Sequence, residues 1–512
     1  MTTQAPERLD TGQAADDRSR WIALYVLCTG MLMIVLDMTV VNVALPSIQD
    51  DLGFSPSGLA WVINAYLIAF GGLLLLAGRL GDLFGQRRIF LTGLVAFTAA
   101  SVACGAAANP TVLVVARFAQ GAGGALTTAV ILGLIVTMFP EPREQAKAIG
   151  VYAFVASAGG AVGLLAGGAL TQWMNWHWIF FVNVPIGAVT LVAALRLLPA
   201  TAGAGVRAGA DVLGAVLITS ALMLGVYTIV VPAAEDGWTA TRTLVCGAAA
   251  IALLVGFVAR EATAALPLMP LRILRSRTVA GANVVQSIGA GGMFGSFFLG
   301  SLYLEHVQGY SPIEIGLAFL PVTVLMGMLS VRYSERLVTR FGAQPVLVTG
   351  LVLIGAALAG LAVAPVHANY LTDVFPAAVL LGIGAGLCFP PMMTLAMSGV
   401  APSDAGLASG LVNTTGQVGG AIGLAVLSTV STGRAATLRA AGHDPLDSLT
   451  GGYHTAFWIA AAMIGAALVT ALITLRAPRR AVAAPVEASV EIARDDHRDQ
   501  VPALAASTRQ HS

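Results

Sequence analysis

The chain has 512 residues, of which 57% are hydrophobic and only 10% charged, against about 25% charged in an ordinary soluble domain. The formal net charge is +1, so bulk charge points to no nucleic acid or acidic partner. This balance excludes a soluble globular domain and a charged disordered one, and leaves a chain whose natural solvent is lipid.

Residues 1–20 are polar and read as a disordered tail, with Arg8, Arg18 and Arg20 ahead of the first apolar run. That run is longer than the roughly 7–15 residues of a signal-peptide core, so it reads as a retained helix. Fourteen apolar stretches of about membrane-helix length follow, roughly 21–44, 58–78, 88–108, 110–138, 148–170, 177–198, 211–231, 242–260, 279–304, 313–332, 344–364, 371–398, 405–430 and 453–475. The strict alternation of a membrane β-barrel is absent. A polar tail holding Glu487, Glu491, Asp495 and Asp496 closes the chain. Cys28, Cys104, Cys246 and Cys388 lie within apolar stretches, without metal-ligand spacing, and read as small packing residues.

The basic residues are unevenly divided. One set of flanks carries Arg79, Arg87 and Arg88, then Arg143 and Lys147, Arg196 and Arg207, Arg260, Arg272, Arg275 and Arg277, and Arg332, Arg336 and Arg340; the other carries Arg242, Arg434 and Arg439. Positive charge stays inside, so the first set is expected to be cytoplasmic, with both termini. Two of these flanks also resemble each other. Gly78 to Arg88 follows the second stretch and Glu335 to Gln344 the tenth, each a basic, glycine-containing turn between apolar helices. An offset of eight stretches suggests two six-helix bundles separated by two inserted helices, and internal repeats of this kind mark secondary transporters.

Asp37 is the deep acid of the apolar stretches and Arg117 the deep base. Each stands about seven residues from the outer end of its stretch, about 10 Å below the surface at 1.5 Å per residue. A charge at that depth costs several kcal/mol unless something compensates it. The pair is either a static ion pair that fixes helix packing or a titratable site that couples protons to a substrate. In the basic turn that Gly78 opens, Gly81 and Gly85 permit tight turning, Asp82 can accept hydrogen bonds or cap a helix end, and Arg87 and Arg88 hold the turn in the cytoplasm. Gly159, Gly163 and Gly167 fall on one helix face and allow a close helix contact, either static packing or one that opens and closes during transport. Asn64, Gln120, Asn283, Gln286, Asn413 and Gln417 are weaker candidates for substrate contact, since amides inside membrane helices more often bond a neighbouring helix. No phosphate loop, no H-E-x-x-H and no G-x-S-x-G occurs, so ATP-driven transport and intramembrane hydrolysis lack support.

These residues resemble a known family. Leu36-Asp37-Met-Thr39-Val-Val-Asn42-Val-Ala44-Leu45-Pro46, Gly78 to Arg88, Arg117-Phe-Ala-Gln120-Gly121-Ala-Gly123 and Trp176-His-Trp178-Ile-Phe-Phe-Val-Asn183-Val-Pro185 are similar to motifs of the major facilitator superfamily, in its fourteen-span drug:proton antiporter branch of the EmrB/QacA type. The departures are Gln86 where a base is usual, His177 where arginine is usual, and Leu164 in place of a proline in the fifth helix. The resemblance implies an all-α polytopic membrane protein of the major facilitator fold. It has 14 transmembrane helices as two six-helix bundles, 21–198 and 279–476, with linkers and a two-helix insert at 199–278 and cytoplasmic tails at 1–20 and 477–512. It implies a monomer in the bacterial cytoplasmic membrane that exports amphipathic drugs or antibiotics against protons. No cofactor, metal or nucleic acid is implied; the partners are a small-molecule substrate, protons and the lipid bilayer. Asp37 and Arg117 would couple the proton, and the glycine–arginine turn and the glycine stripe would gate. Export of an endogenous metabolite or lipid, or a receptor or scaffold role, are the other readings.

Overall fold

In hydrocarbon a backbone N–H or C=O finds no water, so an apolar run closes its hydrogen bonds on itself and becomes a helix. The computed structural model describes residues 11–55, 58–199, 211–264, 267–268, 272–397 and 405–475. In chain order the helices are α1 (Thr11–Leu52), α2 (Trp61–Phe84), α3 (Gln86–Gly105), α4 (Pro110–Met138), α5 (Pro142–Trp173), the short α6 (Trp178–Phe181), α7 (Asn183–Leu197), α8 (Val212–Val230), the short α9 (Pro232–Glu235), α10 (Thr241–Thr263), α11 (Arg277–His306), α12 (Pro312–Met328), α13 (Ser334–Phe341), α14 (Ala343–Leu361), α15 (Phe375–Met397), α16 (Ala405–Ala440) and α17 (Pro445–Thr474).

Three expectations change against these bounds. Residues 11–20, read as disordered tail, are the first turns of α1; once the apolar run has nucleated a helix, adding residues such as Gln13, Ala14 and Ala15 to its end costs little. Residues 1–10, 200–210 with Arg207, the loop 398–404 and the tail from 476 lie outside the described residues. The first stretch does not end near residue 44 but runs through Pro46 to Leu52, a proline that a membrane helix tolerates. Among the described residues, twelve helices are long and apolar enough to cross a bilayer, not fourteen. Of the expected stretches, 148–170 falls in α5, whose first turns carry Arg143, Glu144 and Lys147. The stretch 313–332 falls on α12, a shorter apolar helix that widens into a π-turn at Leu329–Tyr333.

Polar residues start the helices. Asn109 Oδ1 accepts from Val112 N with Pro110 in the first position of α4, Asp211 Oδ1 accepts from Gly214 N at α8, and Ser311 with Glu314 forms a capping box at α12. The two basic turns share one backbone device. α2 passes into α3 through Gly85 at φ +93°, and α13 into α14 through Gly342 at φ +90°. A side chain at either position is disfavoured, so the likeness seen in the sequence is also a likeness of geometry.

Packing follows small residues. α5 lies against α1 along the stripe of Gly159, Gly163 and Gly167. A Cβ at Gly163 would collide with Thr39 Oγ1, and one at Gly167 would come within 3.0 Å of Val40 Cα. At one end of α5, Arg20 of α1 and Glu144 are 3.6 Å apart; at the other, Trp176, three residues past the end of α5, donates its Nε1 to Asp51 Oδ2 at 2.9 Å. α2 packs on α4 and on α16, α12 on α5, and α11 on α16 and α17. α8 packs on α10, and also reaches α2 and α16 beside their seam.

Candidate functional site

Asp37 lies in the middle of α1 and is fully buried, and Arg117, about two turns into α4, is 1% exposed. α4 brings Arg117 and Gln120 to the same place because they stand three residues apart on one helix face. Arg117 Nη1 donates to Asp37 Oδ2 at 2.6 Å and to Gln120 Oε1 at 2.7 Å, and its Nε donates to the Val62 carbonyl of α2 at 2.9 Å. The guanidinium lies 4.4 Å from the centroid of the Tyr66 ring and 5.7 Å from that of Phe180, so aromatic faces cover it where water would otherwise sit. Gln120 Nε2 donates to Asp37 Oδ1 at 2.7 Å and to Ser101 Oγ at 2.8 Å. Asn183, opening α7, donates its Nδ2 to the same Asp37 oxygen at 3.1 Å.

The carboxylate thus accepts from one guanidinium and two amides supplied by α4 and α7. Taking both charges out of water is expensive, and the short bonds to both carboxylate oxygens, with the further bonds of Arg117 to Val62 and Gln120, offset it. A proton arriving at Asp37 would cancel the charge around which those donors are arranged. Protonation and the packing of α1 against α4 and α7 are therefore physically linked.

The sequence candidates divide. Asp37 and Arg117 are brought together. Gln120, read as a substrate candidate, is inside their network with both ends of its amide engaged. Asn64 is fully buried near them on α2, and neither of its polar side-chain atoms has a partner among the described residues. Asn283 is held within α11 and by α16, donating to Val279 O at 2.8 Å and accepting from Thr415 Oγ1 at 2.9 Å. Gln286, Asn413 and Gln417 lie elsewhere: Gln417 and Asn413 share the face of α16 that meets α2, and Gln286 lies where α11 meets α16. Ser101 and Asn183 are network members that residue-by-residue reading passes over. Asn183 could have been suspected as an amide at the start of a span, directly behind the aromatic run Trp178–Phe181.

At the basic turn, Arg79 Nη1 and Asp82 Oδ2 are 3.8 Å apart, both side chains part-exposed. Arg87 Nη2 donates to the Leu195 carbonyl near the end of α7, and Arg88 points outward. Gly78 has open space around it, while a Cβ at Gly81 would come 2.5 Å from Val130 Cγ1 of α4. The turn is thus anchored to both α4 and α7, the helices that hold Asp37.

Residues 27–424 match the family model described as Major Facilitator Superfamily. The chain is 40% identical to the puromycin resistance protein of Streptomyces alboniger over 466 residues, covering 89% of this chain and 91% of that one. It is 38% identical to the cephamycin export protein of Amycolatopsis lactamdurans, covering 82% and 87%. Among solved structures, it resembles a bacterial homolog of the human lysosomal transporter Spinster in an inward-facing, unoccupied conformation, with a TM-score of 0.63 and 18% identity, covering 90% of this chain and 99% of that one. That last likeness is one of fold.

Proposed function

The chain belongs to the Major Facilitator Superfamily, a family of membrane transporters, and from that premise we propose that it is a proton-coupled exporter of amphipathic, antibiotic-like molecules working by alternating access. The observation that carries this reading is the buried Asp37–Arg117 pair with its two amide donors. Relatives named for resistance to puromycin and export of cephamycin support the direction and the class of cargo. In this reading the arginine-rich ends and both termini are cytoplasmic. α5 and α12 complete fourteen spans, α1–α7 and α11–α17 form the two bundles, and α8 with α10 is the insert. That α5 runs along α1 from the Arg20–Glu144 pair through Gly159, Gly163 and Gly167, with Trp176 just past its end bonded to Asp51, supports its crossing.

The outer ends of the bundles are joined. Ser301 Oγ of α11 donates to the Asn42 carbonyl of α1 at 2.6 Å, and Ile313 N of α12 donates to Gln172 Oε1 of α5 at 3.3 Å. These bonds must break for cargo to leave. α1 carries both Asn42 and Asp37, so a proton taken from outside by Asp37 would loosen the helix that closes the outer gate. The basic turn, tied to α4 and α7, supports the opposite gate, and the glycine stripe is the surface on which α1 and α5 shift.

The test is accumulation of puromycin by the purified protein in liposomes under an imposed pH gradient. Uphill accumulation that collapses when a protonophore dissipates the gradient is the expected result. Accumulation unaffected by the protonophore would remove the proton from the mechanism.

A further inference from the structure

We infer that the substrate is uncharged where it is held, and that its polar groups are read by Gln286 of α11 and by Asn413, Thr414 and Gln417 of α16. This names the cargo of the export reading and rests on it.

Gly410, Asn413, Thr414 and Gln417 fall at i, i+3, i+4 and i+7 and share one face of α16. That face meets α2: Leu75 Cδ2 lies 3.0 Å from where a Cβ of Gly410 would be, and a Cβ at Gly71 would lie 2.8 Å from Gln417 Cβ and 3.5 Å from the Thr414 carbonyl. Beside it, the Gln286 amide lies over Gly416, its Nε2 2.8 Å from the position of a Cβ there. Polar side chains of α16 thus line its contact with α2, and the Gln286 amide of α11 lies against the adjoining face of α16. Gln417 Oε1 and Thr414 Oγ1 are buried without a hydrogen-bond partner among the described residues. Native interiors rarely leave such atoms unmet unless they have a role. Asn413 is exposed eight residues into α16, and an amide at that depth belongs against a polar cavity rather than lipid.

Among the described residues the carboxylate at this depth is Asp37, which is fully buried with both oxygens engaged by Arg117, Gln120 and Asn183. A permanent cation brought to the seam would lose its water and find no counter-ion, which is prohibitive in a low-dielectric interior. An uncharged molecule bearing hydroxyls and amides finds an unpaired acceptor, an unpaired hydroxyl and two further amides.

The experiment is equilibrium binding to the purified full-length protein in detergent, with chloramphenicol as the uncharged probe and tetraphenylphosphonium as the permanent cation. No proton gradient is involved, so a failure of proton coupling and a failure of this inference are distinguishable. Chloramphenicol should bind the wild-type protein and lose at least tenfold in affinity in Gln417→Leu. Thr414→Val, nearly isosteric, should weaken it in the same direction and serves if the leucine variant does not fold. Tetraphenylphosphonium should bind only after Gln417→Glu places a carboxylate in the seam. Absence of chloramphenicol binding to the wild type, equal chloramphenicol affinity in wild type and both neutral variants, or tetraphenylphosphonium binding as tightly to the wild type as to Gln417→Glu, each overturns the inference.

Discussion

Arg117 and Gln120, one turn apart on α4, grip the same carboxylate: Arg117 donates to Asp37 Oδ2 at 2.6 Å and Gln120 to Oδ1 at 2.7 Å. They also bond each other at 2.7 Å, so neither can reorient without releasing the other. The acid is held by a rigid two-pronged donor on a single helix. Whatever changes the charge on Asp37 acts on α4 as a unit.

Asp37→Asn removes the titrating group while nearly keeping its shape. Gradient-driven accumulation should fall to background, while binding survives, because an amide can still accept from Gln120 and Asn183. The substitution leaves Arg117 buried without an anion, and breaking a buried pair from one side costs about 3–5 kcal/mol. The melting temperature in detergent should therefore drop, and Asp37→Asn combined with Arg117→Gln should recover most of it. Uphill accumulation by Asp37→Asn equal to the parent's would make the pair purely structural.

Arg117→Lys separates charge from geometry. The ammonium can still meet Asp37, but it cannot also donate from the Nε position to the Val62 carbonyl, nor lie flat against Tyr66. Transport should fall about tenfold, between the parent and Arg117→Ala, with a smaller loss of thermal stability than Arg117→Ala. A lysine variant as inactive as the alanine one would mean that the planar fork, not the charge, is what counts.

The helical character and the central pair could be read from the chain because both follow from the cost of polarity in lipid. Asp37 and Arg117 stand out in apolar stretches, and nothing but a mutual contact or a cavity can compensate them. What the residues could not convey was the rest of the shell. Ser101 joins the site only because α3 packs beside α4, and Asn183 because α7 packs on α1 and α3; tertiary neighbours leave no trace in local spacing. The same limit explains Gln120, whose amide could equally have faced cargo. Helix ends were misplaced for a different reason: hydropathy marks where lipid ends, whereas α1 continues as helix from Thr11 to Leu52.

The twin turns at Gly85 and Gly342 should respond alike to a side chain. Each has positive φ with extended ψ, 93° and 131° at one and 90° and 155° at the other, a region essentially reserved for glycine, where other residues cost about 1–3 kcal/mol. Gly85→Ala and Gly342→Ala should each lower the melting temperature, and the double variant should lower it by about the sum, since the two sites lie in different halves. Asp82→Asn offers the contrast. Its contact with Arg79 is long and exposed, so its loss should move stability by less than about 1 kcal/mol. If the turn supports a gate, turnover should nonetheless slow several-fold with substrate affinity unchanged. Lost affinity with normal turnover would place Asp82 at the cargo instead.

The number of crossings has a direct test in three engineered cysteines. In a background with Cys28, Cys104, Cys246 and Cys388 replaced by alanine, Asn175→Cys, Asp236→Cys and Arg340→Cys each put one thiol on an exposed position. If α5 and α12 cross with the other helices and the N-terminus is cytoplasmic, Asn175 and Asp236 emerge outside and Arg340 inside. If only the twelve long apolar helices cross, omitting α5 keeps the chain inside at Asn175, and the two later crossings by α7 and α8 return it inside at Asp236. All three thiols would then be cytoplasmic. An impermeant maleimide applied to intact cells should therefore label the first two and spare Arg340→Cys until the cells are opened. Protection of Asn175→Cys and Asp236→Cys in intact cells, with labelling after lysis, would remove α5 from the membrane and with it the fourteen-span architecture.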